Sequence, residues 1–107
     1  MTLNTLYTAL VSSFKDGEPI LTVREIAVLL HLRTHLNEST GSISEALHVP
    51  KPATCRAIDM LEGCGLATRK RFEDDLRTNR VRLTLSGIAY LERLERRLAP
   101  AKKREAA

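Results

Sequence analysis

A chain of 107 residues, 43% apolar and 28% charged, suits one small domain with a core and is too hydrophobic to stay a disordered polymer. No apolar run approaches the roughly 20 residues that cross a bilayer, the N-terminus lacks the pattern of a signal peptide, and two cysteines make no disulfide framework, so a reduced cytoplasmic protein is expected. Net charge is +4 but unevenly placed: residues 1–50 hold three basic and five acidic side chains, residues 51–82 eight and five, and residues 83–107 six and three, so a basic second half suits a nucleic-acid partner.

Leu3, Leu6, Tyr7, Leu10 and Phe14 recur at helical spacing and predict a first amphipathic helix over residues 2–15. After a loop at 16–19, Thr22 and Glu25 have the spacing of a capping box, with Leu21 and Ile26 as its staple. This predicts a second helix to about Asn37, burying Ile26, Leu29, Leu30 and Leu36. Ser42 and Glu45 repeat the box and predict a short helix to about His48, whose imidazole suits a helix C-terminus. Pro50 and Pro52 are tolerated only before or within a first turn, so the next helix starts near residue 51 and ends at Gly63 or Gly65. Thr54, Ala57, Ile58 and Leu61 form its core stripe, while Lys51, Cys55, Arg56 and Asp59 form the opposite one.

Beyond Leu66 the helical period stops. One short strand closes at Phe72, a second carries Val81 and Leu83, and Glu73–Asn79 make the turn between them. Thr84 then caps a last helix with Leu85, Ile88, Leu91, Leu94 and Leu98 on its apolar stripe, ended by Pro100. The expected fold is mainly α with a small β-hairpin wing, about five helices in all. Residues 1–100 are expected to form one winged helix-turn-helix domain with terminal dimerisation helices, and residues 101–107 a basic tail.

The order of these parts suits duplex DNA, since the outward stripe of a helix fits a major groove about 12 Å wide and a basic hairpin reaches the backbone or minor groove beside it. Residues 22–94, about two thirds of the chain, resemble the multiple-antibiotic-resistance regulator (MarR) family of bacterial transcription factors. Asp75, Arg77, Thr78, Val81, Leu83, Thr84 and Gly87 are similar, position by position, to that family's wing signature, and Val49–Arg56 with Leu61, Glu62, Gly65 and Leu66 to its recognition helix and exit. The resemblance implies a homodimer that binds a pseudo-palindromic DNA site, usually as a repressor.

The expected DNA-binding set is Ser42, Lys51, Ala53, Thr54, Cys55, Arg56, Arg69, Asp75, Arg77 and Arg80. Arg56 is the candidate base reader, with Asp59 placed to pair with it or orient it. Asp75 is expected to hold Arg77 at the wing tip, because residues two apart on an extended segment share a face. The dimerisation set is Leu3, Leu6, Leu10 and Phe14 on the first helix with Leu91, Leu94 and Leu98 on the last.

Cys55 reads as a small space-filling side chain and Cys64 as core. His31 and His35 are spaced to share a metal, but no third ligand accompanies them, so none is expected. No cofactor and no enzymatic activity are expected: there is no phosphate loop, no paired-carboxylate pattern in an apolar context and no nucleophile with a base. A small-molecule effector is compatible with this reading, but no residue pattern supports one. The alternative function is a winged-helix protein-interaction module, an adaptor or antirepressor whose basic wing meets an acidic partner.

Overall fold

Local signals set the starts of the helices. The computed structural model describes residues 1–72 and 75–99, and within 71–79 it describes only the strand backbone. Helix α1, Leu3–Lys15, begins where the Thr2 hydroxyl accepts the Thr5 N–H at 3.1 Å. Helix α2, Val23–Thr34, starts on the expected capping box: the Thr22 hydroxyl accepts from the Glu25 N–H at 3.1 Å and Glu25 Oε1 from the Thr22 N–H at 2.9 Å. That reciprocal pair helps explain how Glu25 sits buried, its Oε1 being satisfied by backbone.

Helix α2 is shorter than the apolar pattern predicts. Its C-cap His35 is extended, and Asn37 then takes a left-handed φ of 57°, a conformation asparagine tolerates better than most residues. Leu36 is consequently off the helix and 75% exposed, and Leu30 is also exposed; the buried side is Val28, Leu29 and Leu32. The chain forms β1 at Glu38–Ser39, a strand the sequence does not announce. Helix α3, Thr40–Leu47, is capped by Ser39, whose hydroxyl accepts from the Ser42 N–H at 3.1 Å, so the cap lies three residues before its predicted place. Helix α4, Lys51–Gly63, follows with Pro50 as N-cap and Pro52 in its first turn, where a missing N–H leaves no intrahelical bond unmade.

Strands β2, Ala67–Phe72, and β3, Asp75–Leu83, pair antiparallel with Ala67 opposite Leu83 and Arg69 opposite Val81. The register shifts between Arg71 and Phe72, so Phe72 meets Asp75. The hairpin therefore reaches further than predicted: Asp75–Asn79 belong to a strand and not to the turn, while Glu73 and Asp74 lie outside the described residues. β1 adds to the other edge of β3, with Glu38 opposite Val81 and Ser39 opposite Arg80, giving the order β1-β3-β2. Helix α5, Leu85–Leu98, closes the described chain; its start is held by Thr84, whose hydroxyl accepts from the Gly87 N–H at 3.0 Å.

The chain divides into two compact units, with the boundary inside α5. The unit Leu21–Ile88 has a core of Val28, Leu29, Leu32, Ile43, Ile58, Leu61 and Val81, all fully buried, with α4 packed on α2, α3 and β2. The other unit joins Met1–Ile20 to the chain from Ala89 onward. In it Ala9, Tyr90 and Leu91 are buried, and Glu18 is enclosed by two guanidinium groups. Arg93 Nε and Nη2 donate to its two oxygens at 2.6 and 2.9 Å, Arg97 Nη1 donates at 2.8 Å, and Arg97 Nη2 reaches Asp16 at 2.8 Å.

The hydrogen bond from Arg93 lowers the Glu18 pKa; burial opposes it, and Arg97 reinforces it. A carboxylate below its ordinary 4.5 binds a proton more readily unfolded than folded, so its stabilisation is complete above that pH and is lost as pH falls through the lowered native value. The thermal midpoint of the protein is therefore expected to fall more steeply below pH 4.5 than that of Glu18→Gln. Parallel midpoint curves for the two proteins would show that Glu18 contributes nothing to acid sensitivity.

Candidate nucleic-acid interface

Helices α3 and α4 are joined by His48, Val49 and Pro50. His48 adopts a left-handed φ of 56° as the cap of α3, and the Val49 N–H donates to Ser44 O at 3.1 Å while the Ser44 hydroxyl donates back to Val49 O. These bonds close a tight corner, so α3 lies against α4 and leaves one side of α4 uncovered. Along that side the apolar period has run out: Lys51, Pro52, Arg56, Asp59 and Met60 are exposed and Cys55 is half-buried. Ser42, on α3, is exposed too.

Two residues of the expected set are buried. Thr54 is fully buried, its hydroxyl turned back onto Pro50 O at 3.3 Å, and Ala53 is buried with it. Both face the core because α4 rests on α2 and α3 through the same stripe that carries Ala57, Ile58 and Leu61. Cys64 is corrected in the opposite direction: as the C-cap of α4 it is exposed.

Arg69, also expected at a phosphate, is engaged by carboxylates. Its guanidinium is held by Asp59 Oδ1 at 2.8 Å and by Glu62 Oε1, with Cys55 O at 3.4 Å, while Glu62 Oε2 accepts the Arg69 N–H at 3.1 Å. Burial pulls its pKa down, but the hydrogen bonds it donates to Asp59 and Glu62, with the attraction of both charges, outweigh that and leave it raised. Asp59 thus pairs with Arg69 and not with Arg56, whose exposed side chain stays on the open face. The sequence offers a faint signal for this pairing, two acids on the second half of a helix whose first half is basic, and none for its partner.

Arg80 sits half-buried on β3, opposite Lys70 of β2 and Ser39 of β1. The Asp75 and Arg77 side chains, and the pairing expected between them, lie outside the described residues. The two α2 histidines stack with ring centroids 4.1 Å apart; His31 Nε2 lies 3.4 Å from Glu38 Oε2 and His35 Nδ1 3.0 Å from His31 O. Among the described residues no group of three His, Cys, Asp or Glu side chains is arranged to hold a metal, and no helix is long and apolar enough to cross a membrane.

Of the dimerisation set, Leu3 and Phe14 are 86% and 57% exposed, Leu10 is exposed at 40%, and Tyr7 joins them on the same stripe at 67%. Leu6, Leu94 and Leu98 are half-buried, whereas Leu91 is buried within its own unit of the chain.

Comparison with known proteins is consistent across sequence and fold. The family model of the MarR family matches residues 21–78, just over half of the chain. No curated protein matches at a significant level. Among solved structures, the YusO protein of Bacillus subtilis is 25% identical with a TM-score of 0.75, covering 89% of this chain and 65% of its own. A mutant of MarR from E. coli complexed with operator DNA is also 25% identical, with a TM-score of 0.70 over 74% of this chain and 56% of that one. A mutant of S. aureus MepR bound to an oligodeoxyribonucleotide is 21% identical with a TM-score of 0.72, over 86% and 66%. The chain thus spans about two thirds or less of the length of these structures.

Proposed function

The chain belongs to the MarR family, and from that premise we propose that it is a sequence-specific, double-stranded DNA-binding transcription regulator, a repressor acting as a homodimer on a pseudo-palindromic site. One observation carries the reading: the side of α4 that the core leaves uncovered presents Lys51, Cys55 and Arg56, with the basic hairpin beginning after only three intervening residues. An α-helix entering the major groove needs such a side, long polar donors on a rigid rod that has its other stripe fixed. Arg56 is the proposed base reader, worth about 1–3 kcal/mol of discrimination if it engages a guanine bidentately. Lys51 and Ser42 are assigned to flanking phosphates and Arg80 to the backbone beside the wing.

Selecting bound sites from a random duplex pool tests this directly. The expected result is one enriched motif with two inverted half-sites, lost on Arg56→Ala. A chain that enriches no motif and retains no duplex would instead fit the adaptor reading.

The dimer rests on the stripe of Leu3, Tyr7, Leu10 and Phe14, since a row of large apolar side chains along a helix is unstable against water and is covered by self-association in a two-fold pair. With Leu94 and Leu98 it would place two reading helices about 34 Å apart, one turn of DNA. Sedimentation at micromolar concentrations is expected to give a dimer, and Leu10→Asp with Phe14→Asp a folded monomer. A wild-type monomer under those conditions would refute the assignment of the stripe.

A further inference from the structure

We propose that Arg69 is a positioning residue of this reading surface, which clamps the wing to α4 and neutralises the two acids on that helix, and that it does not contact DNA. The proposal rests on α4 as the DNA-facing helix. Charge along α4 changes sign midway: Lys51 and Arg56 occupy its first half, Asp59 and Glu62 its second. Left alone, Asp59, whose side chain is 64% exposed, would stand on the face that approaches phosphate and repel it.

Arg69 removes that repulsion by geometry that only a planar fork supplies. One guanidinium reaches Asp59 Oδ1 at 2.8 Å, Glu62 Oε1 and Cys55 O at 3.4 Å, so it spans two turns of the helix. Glu62 is in turn bound by the Arg69 backbone N–H at 3.1 Å, which ties the β2 main chain to α4 as well as its side chain. Through the register Arg69 opposite Val81 and Lys70 opposite Arg80, the clamp fixes where Arg80 stands relative to Arg56. With its donors turned toward carboxylates, the Arg69 side chain is only 22% exposed, unlike a group waiting for a phosphate.

Affinity for the selected duplex, measured against salt on the full chain, separates clamp from contact. Arg69→Ala is expected to weaken binding about tenfold or more, through two uncompensated carboxylates, without lowering the slope of log affinity against log salt. Adding Asp59→Asn and Glu62→Gln to Arg69→Ala is expected to restore most of the loss, because the repulsion disappears with the acids. A phosphate contact predicts the reverse pattern: a slope smaller by about 0.9 per subunit and no recovery.

Should Arg69→Ala not fold, Arg69→Lys decides. An ammonium serves a phosphate as a point charge but lacks the fixed planar fork that reaches Asp59, Glu62 and Cys55 O together, so the clamp predicts severalfold weaker binding at unchanged slope and a contact predicts affinity near wild type. Wild-type affinity in Arg69→Ala would overturn the proposal. Failure of the wild-type chain to bind any duplex would instead overturn the reading on which it rests.

Discussion

Alanine in place of Gly87 is expected to destabilise the protein by about 1–3 kcal/mol or more, the range for forcing a methyl into a packed site. A Cβ on Gly87 would lie 2.0 Å from Leu66 O and 3.1 Å from Leu66 C, and the obstacle is backbone, which cannot swing aside as a side chain would. The backbone in question is also bound in place. Thr84 N–H donates to Leu66 O at 3.2 Å and the Thr84 hydroxyl to Gly65 O at 2.6 Å, so the exit of α4 and the start of α5 are joined at the point of contact. Gly65 itself holds a φ of +74°, a conformation that L side chains resist, so this turn depends on a glycine at that position. Relief requires these bonds to lengthen together. Because β2 and β3 leave from the same two points, Gly87→Ala is expected to weaken DNA binding beyond its effect on stability. Thermal unfolding followed by circular dichroism checks the first expectation; a midpoint within a degree of wild type would mean that the close approach is absent in solution.

Salt is expected to have the largest effect on function. Lys51 and Arg80, the cations assigned to the DNA backbone, would make four phosphate contacts over two subunits; at about 0.9 log units per contact, affinity falls by roughly three to four powers of ten for a tenfold rise in salt. Arg69 is left out of this count because carboxylates hold it. Filter binding at several salt concentrations gives the slope, and Lys51→Ala is expected to reduce it by about two units, one per subunit, while weakening all duplexes alike. A flat response would assign the basic face to an acidic protein partner, the adaptor reading.

The sequence alone determined the parts of this protein that depend on neighbours a few residues away. Thr22 with Glu25 and Thr84 ahead of an apolar stripe each mark a helix start because a cap is satisfied within one turn, and Pro50 with Pro52 marks another because proline fits only before or within a first turn. The alternation of core and open stripes on α4 was equally legible, since a 3.6-residue period is local. Those signals, with the wing signature, sufficed for the winged-helix order and for Lys51 and Arg56 on the open face.

What only the tertiary structure decided was everything that needs two distant segments at once. Glu38–Ser39 is too short to carry a strand pattern, and it is extended because Arg80 and Val81, some forty residues on, offer it an edge. Leu36 has an apolar side chain and the right spacing, yet the chain leaves the helix before it, so periodicity misassigned it to the core. Thr54 lies at the spacing of the core stripe and also beside the open Cys55–Arg56 face; its burial follows from α2 and α3 closing over that stripe. Arg69 looked like any other basic wing residue until the turn at Gly65 brought it back onto Asp59 and Glu62. A side chain's charge can be read from sequence, but its counter-ion depends on which surfaces the fold brings within about 4 Å, and local pattern does not encode that distance.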